Sequence, residues 1–103
     1  MQIPSNITGP FMIVARVTPK PGKTAEVIDR IAKIKANANS QCEPECLEWR
    51  IGKEVGGETI TTIEKYSSME AFVHHTIQPA FQQFVAADLV ETKSVEFLQE
   101  MSA

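Results

Sequence analysis

Residues 11–17, Phe-Met-Ile-Val-Ala-Arg-Val, are apolar at nearly every position. A strand with one wet face alternates apolar and polar side chains. This run does not, so it is expected at the centre of a sheet, covered on both faces. Pro19-Lys20-Pro21-Gly22 follows and ends the pairing, because proline has no ladder donor. A chain of 103 residues supports one domain, expected over 1–103 with its core at 11–99. So short a domain has few elements with which to cover two faces of a sheet.

Those elements follow from periodicity. Residues 1–10 read as an extended arm with Pro4, Gly9 and Pro10. From Thr24 to Ala38 a helical stripe carries Val27, Ile28, Ile31, Ile34 and Ala38. Glu26 with Arg30 and Asp29 with Lys33 pair four apart on its wet side, and Lys33 and Lys35 suit the helix dipole. Asn37–Ser40 and Pro44 stop that helix. Cys46 to Ile51 alternates, with Leu47, Trp49 and Ile51 on one face and Glu48 and Arg50 on the other. Gly56-Gly57 marks a hairpin. The return strand, Thr59 to Tyr66, aligns Ile60, Thr62, Glu64 and Tyr66.

Ser67 and Glu70 read as a capping box opening a helix that bears Phe72, Val73, His74 and His75. Pro79 restarts the helix, with Phe81, Phe84 and Val85 as its stripe. Thr92 to Leu98 is the last strand. The order β-α-β-β-α-β is the ferredoxin-like arrangement of the α+β class, a four-stranded antiparallel sheet with helices on one face. A homodimer joined sheet to sheet is the simplest cover for the other face.

Composition removes several classes of function. The net charge of −3 comes without a Lys/Arg-dense patch, so nucleic acid is not an expected partner. No apolar stretch suits a signal peptide or a membrane span, so a cytoplasmic location is expected, and the Asn6-Ile7-Thr8 acceptor pattern is read as chance. Cys42 and Cys46 are too few for a disulfide framework and are read as reduced thiols, one buried in a strand. They offer half a zinc site, but His74 and His75 diverge by about 100 degrees on a helix and would rarely complete it. No metal is expected.

The chemistry concentrates between Thr59 and Phe84. His75 is the candidate base, able to take a proton from a phenolic or enolic substrate near neutral pH, while its neighbour His74 falls on a different azimuth and is assigned to the surface. The structural alternative for His75 is a partly buried ring bonded to a backbone carbonyl. Tyr66 is a candidate hydrogen-bond donor to a substrate oxygen, or else a strand-end aromatic with its hydroxyl in water. Glu64, if buried, is an acid or base, or one half of an ion pair with Arg16 or Arg50. Trp49, Phe72, Phe81 and Phe84 are candidate pocket walls, and otherwise plain core.

Four stretches, in order, carry a family resemblance: VTPKPGK (17–23), PECLEWRI (44–51), TTIEKYSSMEAFVHH (61–75) and QPAFQQF (78–84). Over residues 11–99 the chain resembles the antibiotic biosynthesis monooxygenase family of dimeric α/β barrels. The resemblance implies cofactor-independent oxidation of a small aromatic, quinol or enol-type metabolite by molecular oxygen in a homodimer. His75 aligns with the family's helix histidine, making His75, Tyr66 and Glu64 the catalytic candidates. Thr62, Trp49, Phe72, Phe81, Phe84 and Arg16 are the substrate-binding candidates. Glu45 stands where the family commonly has Gly, and Tyr66 where it has Trp. Thr62 stands where some quinol-oxidising members carry Asn. The haem-degrading branch places its ligating histidine near Val85, so no haem is expected. The same fold also hosts isomerases, cyclases and decarboxylases that consume no oxygen, and non-catalytic ligand-binding dimers.

Overall fold

A computed structural model of the chain describes residues 3–101. Residues 1, 2, 102 and 103, the outer ends of the expected arm and tail, lie outside the described residues. The elements are β1 (Phe11–Pro19), α1 (Thr24–Ala38), β2 (Cys46–Lys53), β3 (Ile60–Tyr66), α2 (Met69–Thr76), α3 (Pro79–Ala87) and β4 (Val90–Gln99). The strands form one antiparallel sheet in the order β2-β3-β1-β4. The apolar β1 is thus flanked on both sides, and the ferredoxin-like order stands, with the second helical region split at Pro79.

One face of the sheet packs on the helices. Phe11 and Ile13 of β1, Trp49 of β2 and Ile60 and Tyr66 of β3 are buried against Val27, Ile31, Ile34 and Ala38 of α1 and Phe72 of α2. The α1 stripe is buried at every expected position except Ile28, which lies at its edge and is exposed. On the opposite face Met12 and Val14 are half-buried, and Val14 lies across from Ile63, which is 47% exposed.

Three local departures have physical causes. Leu47 does not share the face of Trp49, because the β2–β3 register slips between Cys46 and Glu48. The slip leaves Leu47 as the extra residue of a bulge, 52% exposed. The cap of α2 is Ser68, whose hydroxyl accepts from the Ala71 N–H at 3.3 Å, so Glu70 falls one position short of the reciprocal box expected with Ser67. In α3 no residue is fully buried: Phe81 and Phe84 are half-buried and Val85 is 59% exposed. That helix roofs a cavity instead of closing a filled core.

Burial sorts the two isoleucines of α1. Ile31→Ala is expected to cost about 2–4 kcal/mol and Ile28→Ala less than about 1 kcal/mol. Urea unfolding with unchanged slope checks both.

Candidate active site

Alternation along β3 directs Ile60, Thr62, Glu64 and Tyr66 beneath the helices, and all four are buried. Glu64 also faces Trp49 across the β2–β3 ladder. The Trp49 indole N–H donates to the Tyr66 hydroxyl at 3.2 Å. That hydroxyl donates to Glu64 Oε1 at 2.5 Å, and Thr62 Oγ1 donates to Glu64 Oε2 at 2.7 Å. The hydroxyl of Tyr66 is therefore not in water, as a strand-end residue would have it. Burial, reinforced by the charge of Glu64 and the hydrogen bond to it, pushes the Tyr66 phenol far above its ordinary value.

Neither expected arginine partners Glu64. Both side chains alternate onto the other face of the sheet: Arg16 pairs with Glu96 at 2.6 Å and Arg50 with Glu48 at 3.6 Å. Arg16, 49% exposed there, stands away from the pocket where it was expected to bind substrate. Two hydroxyls supply what an arginine would have, with no second buried charge.

His75 follows Phe72 by three positions on α2, so both face inward, and the His75 residue is 1% exposed. His74 lies on the exposed side, and its Nε2 is 2.9 Å from the Cys42 carbonyl oxygen. The carbonyl bond considered for His75 belongs to its neighbour. His75 instead directs Nδ1 at Glu43 Oε1, 2.6 Å away, with both side chains buried. Asn37 Nδ2 donates to the other oxygen, Glu43 Oε2, at 2.6 Å. Among the described residues Nε2 of His75 has no hydrogen-bonding partner, yet it is not sealed off, since the ring borders a cavity.

Glu43 was not among the sequence candidates. It lies in the α1–β2 turn beside Glu45, which is exposed, and nothing in Cys-Glu-Pro-Glu-Cys separates the two acids. The one available signal is a histidine predicted to be buried, which needs a partner for each ring nitrogen.

The cavity measures about 170 Å³ and lies between the sheet and the helices. Thr62, Glu64 and Trp49 form its sheet wall. Phe72, His75, Phe81 and Phe84 form its helical wall. Apolar β1 residues Ile13, Ala15 and Val17 continue the floor, and the exposed β4 residues Lys93 and Ser94 stand at the mouth. The imidazole is caged by rings, with centroids of Phe81 at 5.4 Å, Tyr66 at 5.5 Å and Trp49 at 5.9 Å. Tyr66 lies behind the wall and reaches the space only through Glu64.

The half-buried Cys46 thiol is pushed up to about 12, chiefly by burial and then by the charges of Glu43 and Glu64. It is not a nucleophile at neutral pH. Cys42 is exposed. Among the described residues no three His, Cys, Asp or Glu side chains cluster to hold a metal ion.

The sequence matches the family model of antibiotic biosynthesis monooxygenases over residues 10–87. No curated protein matches the chain in sequence. Among solved structures, a Caulobacter crescentus CB15 protein provisionally named an antibiotic biosynthesis monooxygenase is 25% identical, with 93% of each chain covered and a TM-score of 0.82. A Shewanella oneidensis protein is 26% identical over 86% of this chain and 88% of its own, with a TM-score of 0.76. A Pseudomonas aeruginosa protein shares the fold at 17% identity, covering 95% of this chain and all of its own (100%), with a TM-score of 0.83.

Tyr66 is the chain's single tyrosine, so its titration can be read directly. The unfolded phenol ionises near pH 10 and the folded one well above that. The stability that Tyr66 contributes through this shift is therefore fully present below about pH 10 and is lost above it by up to about 1.4 kcal/mol per pH unit. Tyrosinate absorbance is expected to rise only as the protein unfolds, with the two transitions coincident in an alkaline titration.

Proposed function

The chain belongs to the antibiotic biosynthesis monooxygenase family, and from that premise we propose that it is a cofactor-independent monooxygenase acting on a small aromatic, quinol or enol-type metabolite. The observation that carries this reading is the unpartnered Nε2 of His75 on the wall of a cavity lined by aromatic and aliphatic side chains. With Nδ1 committed to Glu43, Nε2 is the nitrogen left to take a hydroxyl proton from a bound ring. Glu43 then faces the imidazolium that forms.

The resulting anion is electron-rich enough to give one electron to oxygen. The radical pair combines to a carbon-bound peroxide anion. Collapse leaves one oxygen atom as a ring carbonyl and releases the other as water, with the lost C–H hydrogen and the proton held by His75 completing that water. Trp49 and the three phenylalanines supply flat walls for the ring, and Thr62, Glu64 and Tyr66 form the polar network beside it. A base and a carboxylate, His75 and Glu64, on one cavity also suit proton shuttling without oxygen, which is the isomerase, cyclase or decarboxylase reading.

Oxygen uptake by metal-free protein given a panel of hydroquinones and anthrones tests the proposal. His75→Ala, with its circular dichroism unchanged, is expected to lower kcat by about 10²–10⁴-fold. Turnover without oxygen would replace this reading with the isomerase one, and binding without turnover would leave a ligand-binding module.

We also infer a homodimer formed through the sheet face that the helices leave open, and a cytoplasmic site of action, which suits two free thiols. Val14 and Ile63 are cross-strand neighbours there, with Met12 and Leu98 beside them. Ile63→Glu is expected to convert a dimer into a monomer, by light scattering at equal concentration, because an unpaired charge cannot be buried cheaply. A monomeric wild type would refute the inference.

A further inference from the structure

Alternation along β4 places Lys93, Val95 and Phe97 on the pleat that faces the helices, across from Val17, Ala15 and Ile13 of β1. All of these are apolar except Lys93. α3 does not cover that edge of the sheet: Val85 is 59% exposed and Lys93 is exposed as well. The cavity opens there. Lys93 borders both the cavity and a second hollow between α3 and β4, and the two spaces share Val17, Phe84 and Val85 as a common wall. A cation thus stands where two largely apolar spaces meet.

Its charge is not answered within the protein. Among the described residues Lys93 has no carboxylate partner. Asp88, on the rim of the second hollow, is held by Lys20 at 3.1 Å. Glu91, skipped where the β1–β4 register shifts, borders the same hollow without pairing with Lys93. A charge at a sheet edge has a plain structural use, to deter the pairing of another strand. That use is served by a charge of either sign and needs no cavity beside it.

We propose that Lys93 is a specificity-determining residue, which holds the acid group of an organic anion whose apolar body lies in the cavity. The deep wall sets the orientation. Glu64 stands there, 6% exposed, and repels a second anion, so the acid group stays at the mouth and the uncharged end goes in. At the mouth the ammonium is framed by apolar side chains, where an ion pair is screened less than in open water. A compact ammonium with three rotating hydrogens asks for negative charge and not for one particular acid. The ligand class is therefore set by a singly charged acid group on an apolar skeleton.

The inference rests on the cavity being a ligand site, as the monooxygenase reading has it, and not on turnover. Its test is calorimetry of the whole protein, near neutral pH and at low salt, with three probes of similar size: phenylacetate, phenylacetamide and phenethylammonium. The anion is expected to bind about fivefold more tightly than the amide, the worth of one exposed ion pair, and the cation most weakly. In Lys93→Met the acid-to-amide ratio is expected to fall to one or below, a ratio being blind to any general change in the cavity. In Lys93→Glu, which keeps a charge at the sheet edge, the order of anion and cation is expected to reverse. Raising the salt to about 1 M, where charges are screened within about 3 Å, is expected to remove most of the wild-type preference with no variant needed. Equal affinities for acid and amide, a ratio kept in Lys93→Met, an order kept in Lys93→Glu, or binding of no probe would each overturn the proposal. Anion preference without oxygen uptake would leave it standing and remove the catalytic reading. Oxygen uptake by a protein whose ratio survives Lys93→Met would do the reverse.

Discussion

Two carboxylates lie beneath three short helices in a domain with little apolar interior to spare, and the arrangement of the rest answers to them. An unpartnered carboxylate in such a place would cost several kcal/mol, a large part of the stability of any domain this size. Glu64 is met by two hydroxyls from its own strand, and Glu43 by an imidazole from α2 and an amide from α1. Among the described residues no buried side-chain polar atom is left without a partner. The Glu43 bonds tie the α1–β2 turn to two helices. The chain of donors from Trp49 ties β2 to β3. The polar atoms thus fix how the layers sit, and the apolar contacts fill the space between.

Much of this was legible in the sequence because it depends on period. The unalternating β1 run does mark a central strand, and the two-residue repeat of β3 does set Thr62, Glu64 and Tyr66 on one face. Helical azimuth separates His75 from His74. What was not legible depends on phase or on loop conformation. The partners proposed for Glu64 failed because Arg16 and Arg50 stand on the opposite pleat. Leu47 was misplaced by a bulge, which shifts phase by one residue with no mark in composition. Glu43 was invisible because a turn, having no period, can bury either of two nearby acids. Sequence reasoning thus located one half of the His75–Glu43 pair and could not locate the other.

The roof of the cavity is the least committed part of the fold. α3 buries none of its residues completely, and its phenylalanines border the cavity, with Phe81 against the His75 ring and Phe84 against the edge of the core. A domain of this size gives up packing energy to keep such a space open. It does so where the helix begins at a proline and ends at Asp88, whose φ of 51° is a left-handed conformation. Both ends of α3 are therefore set by backbone geometry, which places the helix without a buried stripe to anchor it.

The bulge at Leu47 has a consequence for growth of the sheet. β2 and β4 are its two edges, each with backbone donors and acceptors that another strand could copy. The bulge interrupts the regular spacing at one edge. At the other, Lys93 lies across from the inward-facing Val17, so a charge sits in the row that a flat apolar strand would extend. Pro19, with no donor to give, marks the end of that ladder. These are the features by which soluble proteins discourage strand-by-strand addition. The apolar patch around Val14 and Ile63 on the open face stays available to another molecule while the sides of the sheet discourage fibrous growth.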